Sequence, residues 1–156
     1  MQLPENWQVR LIQLLAAGGM MVAFFLLLFH EGKLISVCSS GGWDDCGQVS
    51  GPTAQYASVG PIPVALLGLL GYIAIFMVVW LEEWVEFVEI YMGEIMIGLT
   101  GIAFLFSLGL TLLEIFVIHH ICRYCVVSAV IVTTQFILAI IYLRAVNAAN
   151  RANNEA

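Results

Sequence analysis

The chain has 156 residues, 62% of them hydrophobic and only 10% charged, and its mean hydropathy is +0.98. A soluble domain of this length would carry about 25% charged residues, so the excess of apolar side chains calls for a lipid bilayer as solvent. The net charge of −6 comes from few groups, with no basic cluster, which argues against nucleic acid as a partner.

Four apolar runs follow in chain order: Leu11 to Phe29, Ile62 to Leu81, Ile95 to Ile118 and Ile121 to Leu143. Each is near the ~20 residues that cross ~30 Å of hydrocarbon as a helix. Backbone groups in lipid must be paired within their own segment, so the runs are read as helices. The predicted fold is an all-α integral membrane bundle of four transmembrane helices, with an outward loop between the first two. The first run is too long for a signal-peptide core and no A-x-A site follows it. Glu82, Glu83, Glu86, Glu89 and Glu94, five of the 11 acidic residues, fall in one stretch and read as a solvated inter-helix loop or a wet helix end. The Asn- and Ala-rich end reads as a flexible tail or frayed helix extension, which divides the chain into a membrane domain, 1–146, and a tail, 147–156.

An even number of spans puts both termini on one side. The loop from His30 to Pro61 and the turn near His119 to Ile121 then lie on the other. Arg10, Arg144 and Arg151 flank the termini, against Lys33 and Arg123 on the loop side. That balance favours cytoplasmic termini. Trp80 and Trp84 suit an aromatic belt at one face, and Trp43 and Tyr124 at the other.

All four cysteines fall at the loop face. Cys38 and Cys46 have seven residues between them, in a Gly- and Ser-rich segment that can bend. Cys122 and Cys125 form a C-x-x-C where the fourth span begins. Four cysteines allow three pairings, and the sequence alone does not choose. A helix start offers unpaired N–H groups and the positive end of the dipole, both of which favour thiolate at Cys122. Cys125 lies about 4.5 Å deeper, at ~1.5 Å rise per residue. The outer sulfur is placed to meet aqueous thiols and the inner one to meet a quinone dissolved in lipid. Asp44 and Asp45 disfavour thiolate at Cys46, which leaves Cys38 to face an outside partner.

The segment from Cys46 through Val49, Ser50, Tyr56, Ala57, Gly60, Pro63, Val64, Ala65, Gly68 and Tyr72 resembles the loop-to-second-span signature of vitamin K epoxide reductase homologues. The stretch from Leu113 to Val130, LEIFVIHHICRYCVVSAV, resembles their third-to-fourth-span signature. The resemblance covers about Leu11 to Leu143. It implies a four-helix bundle around a quinone pocket, with ubiquinone or menaquinone as electron acceptor. It implies that Cys38 faces a separate thioredoxin-fold (DsbA-like) periplasmic protein, that Cys46 exchanges with Cys122, and that Cys125 reacts at the quinone. A prokaryotic inner-membrane protein supporting disulfide bond formation is the implied setting. Either Ser50 or Thr53 takes the position of the family's loop serine. Ala129 stands where the animal enzymes have a Tyr, and Ile62 to Leu81 contains no counterpart of their quinone-binding Asn. Both departures argue against epoxide reduction.

Other readings of these residues exist. The C-x-x-C is also the shape of half a zinc site, which Cys38, Cys46, His119 and His120 would have to complete; no metal is expected. The loop pair is also a staple of the kind common on oxidising surfaces, and the non-enzymatic alternative is a four-span protein with structural disulfides. A DsbB-type protein would carry its C-x-x-C near the second span, the reverse of the order here. Glu114 is the one acid well inside a span, which marks it for a quinone pocket or for a buried structural hydrogen bond. His119 and His120 lie at the interface, as proton donors to a quinone or as anchors. Phe116, with Phe24, Phe25, Phe29, Phe104 and Phe106, is a candidate pocket wall, although packing and lipid contact also account for such side chains.

Overall fold

Long apolar runs form the helices, and the residues that break them set where each one turns. The computed structural model describes residues 6–33, 46–52, 54–82 and 84–155. Cys38, Trp43, Asp44, Asp45, Thr53 and Glu83 lie outside the described residues. Helix α1 spans Asn6–His30, the short α2 spans Cys46–Ser50, and a two-residue hairpin pairs β1 (Ser58–Val59) with β2 (Ile62–Pro63). Then come α3 (Val64–Leu81), α4 (Glu86–Leu113), a π-helical turn at Glu114–Ile118, and α5 (Arg123–Glu155). Among the described residues four helical stretches are long and apolar enough to cross a membrane: Trp7–His30, Val64–Leu81, Ile90–Ile118 and Arg123–Asn153. The chain is a multi-pass membrane protein with an all-α four-span bundle.

Around the bundle α1 packs on α3 and α5, and α4 packs on the same two. Three buried clusters follow one another along it. Val9, Ile12, Ala16, Ile75, Val79, Met92, Met96, Leu138 and Ala139 fill the end near the termini. Ala23, Tyr72 and Val132 fill the middle. Leu26, Phe29, Cys46, Val49 and Cys122 close the loop end. Lipid is as apolar as these side chains, so close approach and interhelical hydrogen bonds hold the helices together. Gln135, fully buried, donates from Nε2 to the Ile12 carbonyl at 3.2 Å. Leu14, Met21, Ile102, Leu105 and Val130 face outward instead, as lipid-contacting residues should.

Two boundaries differ from the hydropathy pattern. Helix α4 starts at Glu86 rather than Ile95, so Glu86 and Glu94 ride on helix rather than loop. Glu is a good helix former, and a helix end beyond the hydrocarbon has water to solvate it. At the other end α5 continues through the Asn- and Ala-rich tail to Glu155. Trp80 and Trp84 form a tilted pair with ring centroids 6.5 Å apart, both outward-facing where α3 ends.

The loop end is shaped by specific stops. Gly32 adopts φ +69°; its N–H donates to the Phe29 carbonyl and that of Lys33 to Leu28, both at 3.0 Å. This is a Schellman closure, which needs a left-handed residue just past the helix. It fixes His30 as the last residue of α1. Gly60 (φ +63°) turns the hairpin, and the Val64 N–H donates to the Ala57 carbonyl at 2.9 Å, seating the start of α3.

Candidate active site

Cys46 opens α2, and Val49 on its inner face is buried with it. Cys122 lies immediately before α5 and accepts the first turn's bond from the Val126 N–H at 3.0 Å. The two sulfurs are 3.3 Å apart, both residues fully buried, with the Cys122 thiol donating to Cys46. Cys46 is disulfide-bonded. Cys122 and Cys125 are both free thiols, so neither is its partner. The ring of Tyr124 packs on Phe25 at 4.8 Å between centroids, anchoring the start of α5 to α1.

The π-helical turn makes this closeness fit. A π turn adds one residue to the helical circuit and re-aims the side chains around it. Glu114 turns inward and is 5% exposed, whereas Phe116 is 70% exposed. The chain then reverses at His119, which sits in the left-handed region at φ 59°. This is an uncommon conformation outside glycine, though less so for His. Glu114 spans the reversal: its Oε2 accepts the Cys122 N–H at 3.4 Å.

Cys122 lies one residue outside the fourth span, and its thiol is lowered to about 7. The main cause is a hydrogen bond from the Cys125 side chain; backbone N–H groups of Tyr124 and Cys125 add to it, while burial and the Glu114 carboxylate oppose it. A thiol so placed is a substantial fraction thiolate at neutral pH, and thiolate is the nucleophile in disulfide exchange. Cys125 is half-buried, with its sulfur 3.6 Å from the Ser50 hydroxyl.

Cys125 also lines a cavity enclosed by the helices. Ser50, Tyr56, Glu114 and His30 border it near the loop end, and Ala65, Phe106, Leu110 and Val132 form apolar walls. Deeper in, Tyr72 donates to the Ser128 carbonyl at 3.1 Å and lies 2.8 Å from the Ser128 hydroxyl. Gly19 lets this ring in: a Cβ there would sit 2.3 Å from it.

Of the residues singled out from sequence, Cys46, Cys122, Cys125 and Glu114 are brought together here. Cys38 lies outside the described residues. Phe116 and His119 do not border the cavity; Phe116 faces outward, and His119 is exposed with Nδ1 3.2 Å from the Val117 carbonyl. The inward turn at Glu114 leaves these later side chains pointing away. Phe106 does border the cavity. His30 was missed, and its signal was available: a polar residue seven after Ala23 and four after Leu26 shares their helix face. Among the described residues no three metal-binding side chains converge.

A C-x-x-C dithiol facing the disulfide-bonded Cys46 at one end of a four-span bundle is the arrangement of a membrane thiol oxidoreductase. The model of the Vitamin K epoxide reductase family matches residues 10–140, and the chain belongs to that family. No curated protein matches it.

Proposed function

We propose that this protein passes electrons from a thioredoxin-fold partner through Cys38 and Cys46, then through Cys122 and Cys125, to a membrane quinone. The observation that carries this reading is the 3.3 Å separation of the Cys46 and Cys122 sulfurs. At that distance a thiolate of one pair reaches a disulfide sulfur of the other without rearrangement of the bundle. A disulfide at Cys46 with free thiols at Cys122 and Cys125 matches the stage after the loop pair has handed its electrons inward. Cys125, bordering the cavity, is then the sulfur that meets the acceptor.

The cavity suits a quinone by its chemistry. Apolar walls from four helices take an aromatic ring and an isoprenoid chain, and Ser50, Tyr72 and Glu114 bring polar groups to them. That combination of an apolar pocket with a few convergent polar groups is the usual form of a small-molecule site. The quinone accepts the electron pair; Cys122 and Cys125 supply it by forming their disulfide. Glu114 holds the Cys122 N–H and so keeps the outer sulfur against Cys46. The family resemblance favours a prokaryotic plasma membrane, and the arginines near the termini favour a cytoplasmic location for them. Ubiquinone and menaquinone both suit the cavity's chemistry.

The test is reduction of ubiquinone and menaquinone analogues by purified protein in detergent with a dithiol donor. Wild type should reduce one of them and Cys125→Ala should not. Unchanged activity in Cys125→Ala would remove the C-x-x-C from the quinone step. No activity from folded wild type with either quinone would leave a four-span protein with structural disulfides.

A further inference from the structure

We propose that His30 is the proton donor to the quinone oxygen, a catalytic role that rests on the quinone-reductase reading above. His30 ends α1 and borders the same cavity as Cys125 and Glu114. Its Nδ1 is buried and has no hydrogen-bond partner. A buried ring nitrogen left without a partner costs free energy, and here it stands at a cavity built for a ligand. A quinone oxygen would supply what is missing, since it accepts one hydrogen bond while neutral and takes up a proton as it is reduced.

Proton bookkeeping calls for such a group. Reduction of a quinone to its hydroquinone takes two electrons and two protons. Cys122 and Cys125 provide both electrons by forming one S–S bond. Cys125, as a thiol, provides one proton. Cys122 reacts as the thiolate that thiol–disulfide exchange releases and carries no proton, so the second must enter the cavity from elsewhere. Tyr72 is engaged with Ser128, and Glu114 with the Cys122 N–H. Tyr56 is 46% exposed, at the outer rim. His30 stands between the cavity and the surface of the loop end, since Glu31, Gly32 and Lys33 immediately after it are all exposed. An imidazole there gives its proton to the quinone oxygen and recovers one from solvent through the turn.

The experiment compares wild type, His30→Ala and His30→Gln in detergent, with dithiothreitol as donor and a short-chain quinone analogue as acceptor. Exchange between the loop pair and the C-x-x-C is followed separately, without quinone, by alkylation and mass spectrometry. Both variants should lose roughly a hundredfold or more in the quinone-reduction rate, the lower range of general-acid effects, while exchange proceeds at the wild-type rate. Added imidazole should restore part of the activity of His30→Ala. Quinone reduction within about twofold of wild type in either variant would overturn the assignment. So would a parallel loss of exchange in His30→Gln, which would make His30 a structural residue. A wild-type protein that reduces no quinone would instead overturn the underlying reading.

Discussion

The Sγ atoms of Cys46 and Cys122 lie 3.3 Å apart across a separation of 76 residues. Neither is held there by a covalent bond to the other. Cys46 is fixed by α2 lying against the π-helical turn and α1. Cys122 is fixed by the reversal at His119 and by the Glu114 carboxylate on its N–H. The contact joins the free thiol of Cys122 to the disulfide-bonded Cys46, and both are packed among Leu26, Phe29 and Val49.

That closeness predicts a crosslink. With Cys38 and Cys125 both changed to Ser, only Cys46 and Cys122 remain, and mild oxidation should join them quantitatively. Non-reducing digestion and mass spectrometry would detect the linked peptides. Two free thiols after oxidation would show that the sulfurs do not meet in the membrane.

The parts of this site differ in how far the sequence revealed them. Span centres were legible because hydropathy is a sum over about 20 residues and tolerates local exceptions. The start of α4 was not, because the stretch holding Glu86 and Glu94 reads either as loop or as a wet helix end, and hydropathy does not choose the helix end that forms. The C-x-x-C and Glu114 stood out as chemical anomalies in apolar surroundings. Phe116 faces outward: an extra residue in the π turn changes which side chains face inward, and no hydropathy pattern marks that insertion. Ser50 and Tyr72 entered only through the family resemblance; nothing in their local sequence indicates that one will meet Cys125 and the other Ser128.

The lowered Cys122 thiol predicts a pH profile. Its reaction with a small thiosulfonate should rise with pH through a midpoint at about 7 and level off above it. In Cys125→Ala the largest stabiliser of the thiolate is gone, while burial and the Glu114 carboxylate still oppose ionisation. The midpoint should therefore move up, and reactivity at neutral pH should fall. A midpoint unmoved by the substitution would mean that the Cys125 hydrogen bond does not set thiolate formation.

Glu114 separates a positioning role from a purely electrostatic one. Glu114→Gln keeps a carbonyl oxygen for the Cys122 N–H and removes the charge; Glu114→Ala removes both. If the carboxyl positions Cys122, exchange between the two pairs should be slowed more in the Ala variant than in the Gln variant. An unsatisfied buried N–H costs about 1–3 kcal/mol, which should also lower the unfolding temperature of Glu114→Ala in detergent. Equal slowing in the two variants would assign the effect to charge.

The neighbouring glycines of α1 offer a matched pair. A Cβ at Gly19 would lie 2.3 Å from the Tyr72 ring, while one at Gly18 meets nothing within 4 Å. Gly19→Ala must push Tyr72 away from α1, strain its bonds to Ser128 and distort the cavity wall below Cys125. Overpacking of this kind costs about 1–3 kcal/mol. Gly18→Ala adds a methyl to an open position and improves helix propensity by up to about 1 kcal/mol. Thermal unfolding in detergent should fall for Gly19→Ala and hold or rise for Gly18→Ala. Quinone reduction should weaken only in the former, chiefly as a higher KM for quinone, because exchange between Cys46 and Cys122 takes place in a different buried cluster. If both variants behaved alike, the close passage of Tyr72 over α1 would not be what shapes the cavity.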